Sequence, residues 1–87
     1  MAANVVTAAL ASATQSGTWT GRKGIATIGG TFVGTFALEV KAGSDWVPAE
    51  TVTTPDEFVI ESPIVREMRW NCTAYTSGTA NVRIEGS

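Results

Sequence analysis

Apolar and polar residues alternate along several short stretches of this chain, and the clearest stretch runs from Thr31 to Lys41. Phe36, Leu38 and Val40 alternate there with small or polar residues, which is the period of a β-strand with one buried face. A tract rich in Gly, Ser and Asp then interrupts the alternation, and an apolar run restarts at Trp46. The pattern predicts a long strand, a tight turn and a second strand.

The second half of the chain alternates in the same way. From Arg66 to Tyr75, every second position is Met, Trp, Cys or Ala, and the stretch from Thr79 to Glu85 places Val82 and Ile84 on one face. The tract Thr76-Ser77-Gly78 lies between them and predicts a hairpin loop with a glycine at positive φ. The pattern therefore predicts a closing β-hairpin.

Short strands separated by Gly, Pro and Ser are typical of an all-β fold. We expect a small antiparallel β-sandwich of jelly-roll or immunoglobulin-like type, with about seven to eight strands and less than about a tenth of the residues in helix. Gly34 predicts a bulge in the long strand, and Pro48 predicts an edge position or a bulge in the next. The residues expected to share one core are Phe36, Leu38, Trp46, Trp70, Cys72, Val82 and Ile84.

Residues 1–13 differ from the single sandwich domain predicted for residues 14–87, because they are apolar and carry no charge. They fit an arm that binds another chain, and they equally fit an intrachain first strand. Trp19 lies among glycines and threonines without alternating apolar partners, which leaves an exposed or interface position open beside a core position. The predicted interface residues are Val5, Val6, Leu10 and Trp19.

Composition excludes several classes of function. The net charge of −2 and the lack of any Lys/Arg run argue against nucleic-acid binding. Histidine is absent and Cys72 is the single cysteine, so the sequence predicts no disulfide, no metal site, no cofactor and no catalytic residues. No segment approaches the roughly 20 apolar residues that span a membrane. Charged residues make up only 16% of the chain, which favours burial against protein partners.

Aromatic residues offer the sharpest alternative function. A β-sandwich that exposes several aromatic rings can stack sugars, so a carbohydrate-binding or adhesion module with a glycan partner stays open. The candidates for such a platform are Trp19, Trp46, Trp70 and Tyr75. Trp46 and Trp70 belong to alternating strands, which favours a core position for both.

The chain contains, in order, a Gly-Thr-Phe step, a further glycine, the long alternating strand, the Gly/Ser/Asp turn and Trp46-Val47. This order resembles the layout of small β-sandwich proteins on the virions of tailed bacteriophages. The tract from Arg69 to Glu85 is similar to the final hairpin of those proteins, whereas Pro48 departs from their pattern and predicts a shortened strand. The resemblance covers Trp19 to Glu85. It implies a non-enzymatic virion protein, a capsid decoration (cement) protein or a head-fibre or tail accessory, that forms homo-oligomers and binds the major capsid protein.

Overall fold

The computed structural model describes residues 4–87, which form one antiparallel sheet with the strand order β1-β4-β2-β3. The strands are β1 (Asn4–Leu10), β2 (Trp19–Ala42), β3 (Asp45–Val52) and β4 (Asp56–Gly86). No helix occurs among these residues, so the all-β prediction is confirmed. Four strands in one sheet do not confirm the predicted sandwich of seven to eight strands.

The registers show that every strand pair is antiparallel. Along β1 the partner in β4 falls from Gly86 to Ala80, and β3 pairs with the end of β2 in the same sense. Between β2 and β4 the partner number also falls as the residue number rises, from Gly24 opposite Gly86 to Val40 opposite Met68. Antiparallel pairing lets each strand present alternate side chains to a common core.

β4 is too long to be straight. At about 3.3 Å per residue its 31 residues would extend for roughly 100 Å, whereas the largest dimension of the molecule is 36 Å. The strand therefore bends back on itself, and the indole of Trp70 reaches the backbone of Arg83 on the same strand. Residues 24–28 of β2 consequently pair with residues 82–86 of β4 on one edge and with residues 56–60 on the other.

Two glycines lie close together on the β2–β4 ladder, where Gly30 pairs with Ala80 and Gly78 pairs with Phe32. Gly30 and Gly78 have φ values of +95° and +85°, a region that side chains with a Cβ rarely occupy. A Cβ on Gly30 would lie 2.6 Å from the carbonyl oxygen of Thr79, and one on Gly78 would collide with the carbonyl of Thr31. Both positions therefore require glycine for conformation and for space.

The predicted closing hairpin is wrong, although the positive φ of Gly78 is confirmed. Residues 68–75 and 77–86 do not pair with each other, because both continue along β2 as one strand. Val33 pairs with Ser77 and Gly34 pairs with Tyr75, so Thr76 has no partner in β2. The bulge predicted at Gly34 therefore lies on the opposite strand, β4. A glycine between two alternating tracts fits a hairpin and a bent strand equally well.

One core lies between the bent halves of the sheet. Six of the seven predicted core residues belong to it, and the seventh, Trp46, does not. Trp46, on the edge strand β3, pairs with Lys41 of β2, so the Trp46 side chain lies on the face away from the core. The buried members are Leu10, Trp19, Ala26, Ile28, Phe36, Leu38, Val52, Ile60, Met68, Trp70, Cys72, Ala80, Val82 and Ile84.

β3 is an edge strand with a register shift beside Pro48, as Pro48 predicts. The strand is not shortened, because pairing continues from the shift to Val52. The described part of the N-terminal segment forms β1 against β4, which is the first-strand alternative, while residues 1–3 lie outside the described residues.

Candidate functional site

The densest group of polar contacts lies on the outer face of β2, β3 and β4. We call Glu39, Arg69, Asn71 and Trp46 the Glu39 cluster. Glu39 pairs with Arg69 in the register, and both alternate with inward residues of the core, so the two side chains emerge side by side on the outer face. The cluster brings together residues from three strands.

Hydrogen bonds occupy both carboxylate oxygens of Glu39. The Nε of Arg69 donates to Oε1 at 2.8 Å, and the Nδ2 of Asn71 donates to Oε2 at 3.2 Å. The guanidinium carbon of Arg69 also lies 4.2 Å from the centroid of the Trp46 ring, a distance suited to a cation–π contact. Glu39 is therefore held in place, with both carboxylate oxygens accepting hydrogen bonds.

Glu39 is shielded from solvent although it lies on the outer face. The residue is only 8% exposed because neighbouring side chains cover it. A second ion pair, Lys41 with Glu67 at 3.7 Å, lies nearby and is largely exposed. The sequence held no signal for the cluster, because Glu39 and Arg69 are 30 positions apart and meet only through the register.

Cys72 offers no accessible nucleophile. Its side chain is buried in the core, and burial raises the pKa of the thiol. Within residues 4–87, no group of three or more acidic or cysteine side chains is placed to hold a metal ion. No helix in this part of the chain has the length and apolar character needed to cross a membrane.

The four predicted interface residues separate in the structure. Leu10 and Trp19 lie in the core of the chain, and the indole of Trp19 donates to the carbonyl oxygen of Asn4 at 3.1 Å. Val6 is partly buried against the same core, whereas Val5 is 43% exposed. Val5 is therefore accessible to a partner, whereas Trp19, one of the predicted interface residues, is fully buried.

The four candidate sugar-stacking aromatics do not form a platform. Trp19 and Trp70 are buried, and Arg69 covers one face of Trp46. Tyr75 is partly exposed, and its hydroxyl donates to the carbonyl oxygen of Gly78. No observation on these side chains favours a glycan site.

An apolar surface lies on the opposite half of the sheet. Val59 is 76% exposed and pairs with Ile25, which pairs on its other side with Glu85, and Glu85 pairs with Val5. These four residues form a row across four strand segments, which we call the Val59 row. Val59 and Ile25 were not predicted as surface neighbours, because alternation alone does not say which outward apolar residues lie side by side.

No family model, no curated protein and no solved structure matches this chain. The strand pairing, the surface and the composition of the chain are therefore the observations that bear on its function.

Proposed function

We propose that this chain is a non-enzymatic structural protein of a bacteriophage virion, specifically a capsid decoration or cement protein that binds and stabilises the assembled shell. The observation that carries the proposal is the pairing of the long strands, which supports a jelly roll. A fold alone does not assign a function, so the surface must support the same conclusion.

The registers support dividing the chain at its bends into eight strand segments. One group pairs in the order 4–10, 77–86, 23–28 and 56–61. The other pairs in the order 14–16, 68–75, 34–42 and 45–52, with Gln15 bridged to Asn71. The contact between Trp70 and Arg83 joins the two groups across the core. Eight segments in two four-membered groups, formed by folding an antiparallel ribbon, support the jelly-roll arrangement that occurs in viral capsid and lectin domains.

The surface of the chain favours a capsid role over a lectin role for such a jelly roll. The aromatic side chains are not assembled for stacking, whereas several aliphatic side chains are well exposed in a chain with only 16% charged residues. Burying an aliphatic, weakly charged surface against a protein partner costs little desolvation free energy. Ile64 and Val65 are adjacent, exposed and preceded by Pro63, and we assign them to the contact with the shell.

The test uses capsid shells assembled without this chain. Purified protein should bind such shells saturably and raise the temperature at which they rupture. Ile64→Lys combined with Val65→Lys should abolish binding, while Val33→Lys, at another exposed valine, should not. Failure of the wild-type protein to bind the shells would contradict the proposal.

A further inference from the structure

Four sheet edges remain unpaired among residues 4–87: the outer edges of β1, of β3 and of segment 56–61, and that of segment 14–16, which at three residues is too short to offer much pairing. We propose that copies of this chain associate head to tail, with the β1 edge of one copy against segment 56–61 of the next and Val5 beside Val59. This inference deepens the self-association part of the proposed function and rests on it. The partner is a second copy of the same chain.

Charge argues against pairing of segment 56–61 with itself. Glu57 and Glu61 project from the same outer face as Val59. In the symmetric antiparallel register centred on Val59, Glu57 of one copy would lie opposite Glu61 of the other, twice. Like charges directly opposite on neighbouring strands are destabilising. A two-fold contact is therefore disfavoured.

β3 is a poor partner for segment 56–61. It carries Asp45 and Glu50, so acidic residues would again meet acidic residues. Pro48 lacks a backbone N–H, and the neighbouring register shift distorts the edge. Both features are typical of edges that avoid pairing with another chain.

The β1 edge has none of these obstacles. Residues 4–10 contain neither charge nor proline, the residues that commonly discourage edge pairing, and the contact of the Asn4 carbonyl with Trp19 is confined to one end of the strand. The directions of the strands also agree, because β1 added beside segment 56–61 in the order of the sheet continues the antiparallel alternation. Val5 of the next copy would then extend the Val59 row by one strand.

The inward side chains support the same register. With Val5 beside Val59, Val6 of one copy lies next to Phe58 of the other. Both residues pack against their own cores and are only partly buried in a single chain. The contact would cover both, and it would pair the backbone groups of two free edges.

Sedimentation equilibrium in the absence of capsid tests this contact separately from shell binding. We expect the wild-type protein to form species of three or more copies, because a head-to-tail contact leaves one edge of each type free until a ring closes. Val59→Lys should weaken association by at least about tenfold, while Val33→Lys, at a valine that is 57% exposed elsewhere, should leave it unchanged.

A charge pair identifies the two edges. Val5→Glu and Val59→Lys should each weaken association, the first because Glu57 and Glu61 of the neighbouring copy flank position 59. The chain that carries both changes should recover association, because the introduced carboxylate and ammonium groups would then meet between copies. A wild-type monomer, a species that stops at two copies, or no recovery in the double variant would overturn the inference. Shell binding by a monomeric protein would overturn it and leave the proposed function standing. Unchanged melting temperatures confirm that the variants fold.

Discussion

The indole Nε1 of Trp70 lies 3.4 Å from the carbonyl oxygen of Arg83, to which it donates a hydrogen bond, although both residues belong to β4. Thirteen residues of straight strand would separate them by roughly 40 Å. The contact therefore exists only because the strand bends, and Trp70 fills the space between its two arms. The bend and the core depend on each other.

Trp70 should accordingly be among the most sensitive positions. Trp70→Ala removes a fully buried indole and should lower the free energy of unfolding by about 3–5 kcal/mol, a large part of the total stability of a domain of this size. Trp70→Phe keeps an aromatic ring and should cost less. Chemical denaturation monitored by circular dichroism measures both. An unchanged melting temperature for Trp70→Ala would mean that the indole is not in the core.

Gly29 and Gly30 provide a matched test of the backbone conformation at Gly30. Gly30→Ala should destabilise the protein by about 1–3 kcal/mol, because alanine tolerates neither its positive φ nor the nearby carbonyl of Thr79. Gly29→Ala should be neutral or slightly stabilising, because its Cβ would meet nothing within 4 Å and the unfolded chain loses entropy. Thermal unfolding compares the two variants. Equal effects would contradict the positive φ and the close backbone contact at Gly30.

The Glu39 cluster should contribute to stability where the exposed ion pair does not. Glu39→Gln removes the negative charge beside Arg69 and Asn71 and should cost about 1–3 kcal/mol, as expected for hydrogen bonds to a shielded charge. Glu67→Gln, in the exposed pair with Lys41, should cost less than about 1 kcal/mol. Urea titrations distinguish the two, and the reverse order would show that the cluster is not stabilising.

Alkaline pH should destabilise the fold partly through Cys72. Burial raises the pKa of the folded thiol above its ordinary value of 9.0. The contribution to stability is complete below pH 9.0 and is lost as pH rises towards the folded pKa, because the unfolded thiol ionises first. The wild-type protein should therefore lose more unfolding free energy than Cys72→Ala between about pH 7.5 and about pH 10. Equal losses would place the thiol in solvent.

Local alternation was sufficient to predict an all-β chain and six of its fourteen buried core residues. Phe36 and Leu38, and likewise Val82 and Ile84, take their inward positions from the two-residue period, which needs no knowledge of the partner strand. Trp46 was predicted wrongly because an edge strand can turn a large residue outward, where Arg69 covers it.

Features that depend on pairing could not be predicted from the sequence. Gly78 has the same local signature in a hairpin and in a bent strand, and only the continuous partner, β2, separates the two. The contact of Glu39 with Arg69 and the burial of Trp19 likewise depend on strands distant in sequence. The Val59 row could not be recognised before the register placed its members side by side.

The central claim is that this chain is a structural component of a virion, and quantitative mass spectrometry of purified virions tests it most directly. The virions are purified from induced cultures of the organism whose genome carries this reading frame. The account predicts that the chain is present in a fixed, high ratio to the major capsid protein and remains after washing at high salt. Its absence from the virions, or traces that vary between preparations, would contradict the account.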